Sequence, residues 1–351
     1  VSLSVGSGID VHDCSNGTVS FNRFNHTAAG LSWHAAVFLD RATGRSAISV
    51  ADNIVTNMNG GDGFSCEGNG GANSNMLNGV FARNTILDCN GQGLSLDNCK
   101  IVKALNNIIR RVTGPAILGT GTPWMECVGN AIDTSGLGGI VSRSGTMTAR
   151  VTLNDIRNVA YYDANYRGHG IELVNATAGA IHTAENKTVQ DTDGAGVYVV
   201  ADSGSVVENP IRNAGRSASN SNQLRACVFA AGNVIVADNR IASTGSTQYA
   251  VSSGAGEFPN LDNNLLTGAF GAAFYCIGYR SGLFIDISVS IEDARFDART
   301  NVFTGRNNGT PAGYWYRGDT MYQTLPAASG FIGSVATVSG TTWKTFGAIS
   351  A

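Results

Sequence analysis

The 351-residue chain is short of charge: Asp, Glu, Lys and Arg make up only 14% of it, and the two signs nearly cancel to a formal net charge of -3. Binding to nucleic acid draws on a basic stripe that displaces counterions; none is visible, which argues against a nucleic-acid partner. Long apolar runs are missing too. No segment approaches the about 20 residues that cross a bilayer, and the chain opens with neither a basic region nor an apolar leader core, so no membrane insertion is expected. No CxxC pair occurs. The seven cysteines, Cys14, Cys66, Cys89, Cys99, Cys127, Cys227 and Cys276, are odd in number and widely spaced, which disfavours a zinc or disulfide framework. Several fall where a strand would turn them inward, and they read as reduced packing residues of a protein assembled in a reducing cytoplasm. Gly119-Thr120-Gly121 lacks the rest of a dinucleotide fingerprint, and neither a cofactor nor a metal site is read.

What the chain has in quantity is glycine, 45 residues, alongside a hydrophobic fraction of 43%. That balance suits many short strands joined by turns rather than helices. An Asn-x-apolar element then recurs: Asn22-Arg23-Phe24, Asp52-Asn53-Ile54, Asn84-Thr85-Ile86, Asn106-Asn107-Ile108, Asn130-Ala131-Ile132, Asn154-Asp155-Ile156, Asn209-Pro210-Ile211, Asn239-Arg240-Ile241 and Asn264-Leu265-Leu266, with Asn186-Lys187-Thr188 as a weaker member. Its spacing varies from 22 positions (84 to 106) to 32 (52 to 84). A constant rung with connections of unequal length predicts a parallel β-helix, in which each coil supplies short strands and puts its excess residues at a corner. Asn suits the corner because it tolerates left-handed backbone angles and its amide can bond to the amides above and below. A second element, a small residue followed by apolar-x-apolar, appears as Gly63-Phe64-Ser65-Cys66, Gly93-Leu94-Ser95-Leu96, Gly139-Ile140-Val141-Ser142, Gly170-Ile171-Glu172-Leu173 and Gly196-Val197-Tyr198-Val199. Strand alternation points its first and third residues inward and its middle one outward.

The reading is therefore all-β: a right-handed parallel β-helix over 1–277, then a small C-terminal β-domain over 278–351 that caps the solenoid or joins subunits. Ser7 to His12 already looks like a coil's strand, which implies further sequence before Val1. Leu283 to Phe296 alternates like an ordinary strand or hairpin.

The Asn-x-Ile coils resemble the β-helical domain of pectate-lyase-like proteins and bacteriophage tailspikes. Tyr316-Arg317-Gly318-Asp319, the run from Pro326 to Gly333, and Thr342-Trp343-Lys344-Thr345-Phe346-Gly347 resemble the closing segment of tail fibres and tailspikes. The coil resemblance spans about four fifths of the chain and is generic; the tail motif is short and more specific. The resemblance implies a homotrimer on the virion tail, assembled in the host cytoplasm and acting outside it, that binds and often cuts bacterial capsular or O-antigen polysaccharide. It transfers no catalytic residue, because catalytic positions differ among such proteins.

Candidate residues come instead from the register. The fourth residue after each small one is His12, Asp40, Glu67, Asp97, Leu118 (counted from Gly114) and Arg143. Strands stacked ~4.8 Å apart would line these up. Three consecutive carboxylates in one file repel and raise at least one pKa, the arrangement that glycoside hydrolysis uses. Glu67, flanked by two acids, is expected to be the general acid, with Asp40 or Asp97 as base. Carboxyls about 5 Å apart suit retention and ~6.5–9.5 Å inversion; the pair two rungs apart leans to inversion. The competing reading is of solvated turn residues at strand ends. His12 and Arg143 are candidates for binding the glycan, as are Trp33, Trp124, Tyr161, Tyr162 and Tyr166, placed in long insertions where rings could stack on sugars or cover a subunit contact. The connections from Asn22 to Ala36 and from Asn154 to Gly170 are candidate groove walls. Three functions compete: an endo-acting glycosidase, a polysaccharide lyase, and a spike that binds glycan without cutting it.

Overall fold

The computed structural model describes residues 7–12, 16–26, 35–40, 47–67, 78–160, 168–217, 225–244, 249–253, 260–262, 264–269, 272–276, 291–296, 301–305, 320–323, 331–338 and 342–348; at Asp40 and in several strands beyond 260 the backbone alone is described. These residues form a right-handed parallel β-helix. Ten coils run from Ile9 to Ala269, and Ala272–Cys276 starts another. Each coil contributes to three faces. In the coil of Glu67, Asp62–Glu67 lies on face 1, Asn78–Ala82 on face 2 and Thr85–Cys89 on face 3. Faces 1 and 2 belong to one hydrogen-bonded sheet, and face 3 continues into the C-terminal strands. In two later coils faces 1 and 2 are spanned by single strands, Val197–Val207 and Ala226–Ala237, whose register shifts between Val200 and Ser203.

The corner between faces 2 and 3 explains the asparagines. Ten of them, from Asn22 to Asn264, stack as an amide ladder in which each backbone N–H and side-chain Nδ2 donates to the Oδ1 of the next coil's Asn. Each Nδ2 from Asn53 onward also donates to a main-chain carbonyl of the coil before, as Asn130 does to Ala104 at 2.9 Å. Two frames shift by one residue from the sequence reading. The ladder members are Asn53 and Asn107, so Val55 and Ile109 fill the core while Ile54 and Ile108 face outward. The left-handed residue is also not the Asn but the one before it: Phe21, Asp52, Arg83, Asn106, Gly129, Leu153, Glu208 and Asp238 all have positive φ. The asparagine is there for its amide, since a buried corner leaves backbone N–H groups that something must accept. Asn186 looked weak because Lys187 is an extra residue, both it and Thr188 donating to Asn154 O, and Val189 takes the core place one position late.

The small residues line the corner between faces 3 and 1. A Cβ at Gly63 would meet Gly93 O at 2.6 Å and the Cγ2 of Ile86, an inward residue of face 3, at 2.9 Å. In the next coil but one the tight place is held by Ala116, since Pro115 pairs with Gly138 and Ile117 with Ile140. Gly114 is therefore not the reference, and Leu118 leaves the file of ionisable groups; Thr120 takes its place.

Cys66, Cys89, Cys99, Cys127 and Cys227 are buried thiols outside any disulfide, as expected of packing residues. Beyond the coils, Ile291–Phe296 pairs antiparallel with face 3 at Gly268, and the hairpin of Phe331–Val338 with Thr342–Ala348 closes the sheet. Ala336 belongs to the solenoid's core cluster and Trp343 packs against it, so this hairpin covers apolar surface that an open coil would expose. Of the strand expected over Leu283 to Phe296, 283–290 lie outside the described residues.

Candidate functional site

Face 1 carries the site because its strands place two outward columns side by side. Main-chain register pairs His12 with Asp40, Asp40 with Glu67, Glu67 with Asp97, Asp97 with Thr120, and Thr120 with Arg143. Inward neighbours such as Phe64, Cys66, Leu94 and Leu96 fix the direction, being fully buried in the solenoid, so alternation turns Glu67 and Asp97 out. The second outward column runs through Ser65, Ser95, Leu118, Val141, Glu172, Tyr198 and Phe229. Longer connections, among them 27–34, 41–46, 68–77, 161–167 and 218–224, leave or enter this face's strands, and the Asn-ladder corner carries none of them. The extra residues therefore fall between face 1 strands and those of its two neighbouring faces.

Within the file the carboxyls differ. Burial pushes the Asp97 carboxyl above its ordinary value, and the negative charge of Glu67 adds to this, while hydrogen bonds from Thr120 and Ser95 pull the other way. Ser95 Oγ lies 3.3 Å from Asp97 Oδ2. Ser65 and Ser95 are themselves buried although they face out, so little water reaches this side of Asp97. Glu67 is half-buried on the adjacent rung. Asp40 shares the register through its backbone, and its side chain lies outside the described residues.

The other sequence candidates scatter. Arg143 sits in the file, but its guanidinium is held by the nearly buried Glu172 in a bidentate pair, Nε to Oε1 at 2.6 Å and Nη2 to Oε2 at 2.8 Å. The sequence offered it as a glycan contact; here it neutralises a carboxylate that the next coil buries. His12 is exposed in the first coil, its ring edge-on to Phe38 at 6.2 Å. Trp124 is not in an insertion. It opens the face 2 strand Trp124–Val128, in register with Ile101 and Thr148, and is 43% exposed around the corner from the acid file. Gly121-Thr122-Pro123, just before it, is one tight corner, with Gly121 at φ +61°. Trp33, Tyr161, Tyr162 and Tyr166 lie outside the described residues.

Sequence reasoning missed an aromatic stack further up face 1. His169, Tyr198 and Phe229 lie nearly parallel, with centroids 4.7 and 4.4 Å apart, and His169 Nδ1 accepts the Ala195 N–H at 2.8 Å. The signal was present: Tyr198 is the outward middle residue of Gly196-Val197-Tyr198-Val199, and register puts Phe229 on the next rung. Among the described residues no group of three or more His, Cys, Asp or Glu could hold a metal ion.

Residues 1–156, which include the whole acid file up to Arg143, match a family described as a right handed beta helix region. No curated protein and no solved structure matches the chain.

Proposed function

We propose that the chain is a phage tailspike that lays a bacterial capsular or O-antigen polysaccharide along face 1 and hydrolyses it internally. The observation that carries this is the run of carboxylate rungs, Asp40, Glu67 and Asp97, in register on the face that long connections leave or enter at both edges, with the Asp97 carboxyl raised above its ordinary value. A glycosidase needs that asymmetry, because one carboxyl must deliver a proton to the leaving oxygen while another stays charged. Burial singles out Asp97 as the acid, in place of the Glu67 that flanking charge alone suggested. Thr120 and Ser95 orient it. Its charged partner is Glu67, one rung away, if configuration is retained, and Asp40, two rungs away, if it is inverted; the anomer of the first product, read by NMR, tells which. A homotrimer exposed on the virion tail fits this reading, since apolar outward residues of face 2 such as Trp124, Ile181 and Ile235 would gain from a covering subunit. Light scattering at micromolar protein should then give three times the chain mass.

The test is to incubate the protein with a panel of capsule and O-antigen glycans and weigh the products. Hydrolysis gives shortened oligosaccharides that each carry one added water. Unsaturated fragments without that water would make the protein a lyase, and tight binding with no shortened product would make it an adhesin; either result overturns the hydrolase.

A further inference from the structure

The thiols of Cys66 and Cys99 meet directly behind the acid pair. Their sulfurs lie 2.9 Å apart across adjacent coils, and both residues are fully buried. Cys66 precedes Glu67 on its strand, and Cys99 follows Asp97 by two residues, past the left-handed Asn98. The next coil puts a hydroxyl at this corner. There the position of Cys99 is held by Thr122, whose hydroxyl donates to Leu96 O at 3.0 Å and Thr120 O at 3.4 Å. Cys99 Sγ makes the equivalent two contacts one coil earlier, to Cys66 O at 3.6 Å and Asp97 O at 3.4 Å, with a much poorer donor. What the thiol has and a threonine would lack is a second sulfur within reach. A disulfide has its sulfurs about 2.04 Å apart, so closure asks for a movement of roughly 0.9 Å.

We infer that Cys66 and Cys99 are a latent disulfide that closes when the protein meets an oxidising disulfide pool, clasping together the strands that carry Glu67 and Asp97. The chemistry is thiol–disulfide exchange. One cysteine loses its proton and attacks a sulfur of a small disulfide, whose S–S bond breaks and releases one thiol. The second cysteine, deprotonated in turn, attacks the mixed disulfide, and the second small thiol leaves; two protein thiols are oxidised and one small disulfide is reduced to two thiols. Burial pushes the Cys66 thiol well up, so thiolate is scarce in the closed solenoid and the bond forms over hours, as coils open, rather than seconds. Cys89, whose Sγ donates to Gly61 O at 2.9 Å, serves as a buried internal control.

The inference stands on the fold and not on the glycan reading. The test is to incubate the intact chain with excess glutathione disulfide, alkylate it in denaturant and map its peptides by mass without reduction. The expected result is one linked pair joining the peptides of Cys66 and Cys99, two hydrogens lighter than their sum and separated by dithiothreitol. Thermal unfolding should shift upward by roughly 5 °C, because a closed loop restricts the unfolded chain. Cys99→Thr, which copies Thr122, should fold, leave Cys66 open to alkylation and remove the shift. Full alkylation of both cysteines after prolonged incubation, glutathione adducts alone, or the same upward shift in Cys99→Thr would overturn the clasp.

Discussion

Asp97→Asn is expected to cut glycan turnover by roughly 10²–10⁴-fold, the usual contribution of a positioned general acid, while making the protein more stable at neutral pH. Both effects follow from one fact, that burial raises the Asp97 carboxyl above its ordinary value of 3.8. A carboxyl raised in the folded state favours the fold while it is protonated. That stability is present in full below pH 3.8 and is lost as pH climbs through the folded value, so less of it is left at pH 7 than in acid. Asn makes similar hydrogen bonds without the charge. Chemical denaturation at pH 7 should therefore show Asp97→Asn above wild type, and the gap should close toward pH 3. The rate profile gives a second handle: activity should fall on the alkaline side as Asp97 ionises. Glu67→Gln removes the neighbouring negative charge, and any activity it keeps should show that alkaline limb at lower pH. A stabilised but fully active Asp97→Asn would leave the carboxyl buried for some reason other than proton transfer.

Asn130→Ala should be the most damaging single change in the solenoid that does not touch the site. Asn130 Oδ1 accepts both the N–H and the Nδ2 of Asn107 at 2.9 Å, and its own Nδ2 donates to Ala104 O and Asn154 Oδ1 at 2.9 Å. Truncation leaves the Asn107 N–H and the Ala104 carbonyl without these partners in a fully dry corner, at about 1–3 kcal/mol each, and adds a small cavity. A loss of about 3–5 kcal/mol follows, read as a lower denaturant midpoint and as faster amide exchange in the coils on either side. Asn130→Asp should do little better, since a carboxylate cannot donate to Ala104 and would be a buried charge. A loss under about 1 kcal/mol would mean that the ladder is ornament rather than support.

The solenoid was legible in the sequence because its rules are local and repeated. One Asn per coil and one small residue before each face 1 strand set the register closely enough to align Asp40, Glu67 and Asp97. The errors fell where two residues competed for one role. Asp52-Asn53 and Asn106-Asn107 each offer two corner residues, and the choice is made by the left-handed turn that precedes the ladder amide. Gly114 and Ala116 are both small; pairing with Gly93 and Gly139 on the neighbouring coils selects Ala116. Other features arise between coils and leave no trace in spacing. That burial raises the Asp97 carboxyl depends on how neighbouring coils pack around it, with the buried Ser65 and Ser95 beside it and Thr120 on the next rung. That Glu172 claims Arg143 depends on a strand 29 residues further on.

On the proposed function, the polymer runs along face 1 with its scissile bond beside Asp97. A crystal structure of Asp97→Asn soaked with the oligosaccharide released by the wild type tests this most directly. Sugar rings should follow the outward columns of face 1, with a glycosidic oxygen within hydrogen-bond reach of the amide that replaces the Asp97 carboxyl and a ring spanning the rungs of Glu67 and Asp97. Glycan bound on face 2 or 3, or on face 1 several coils away from Asp97, would contradict it.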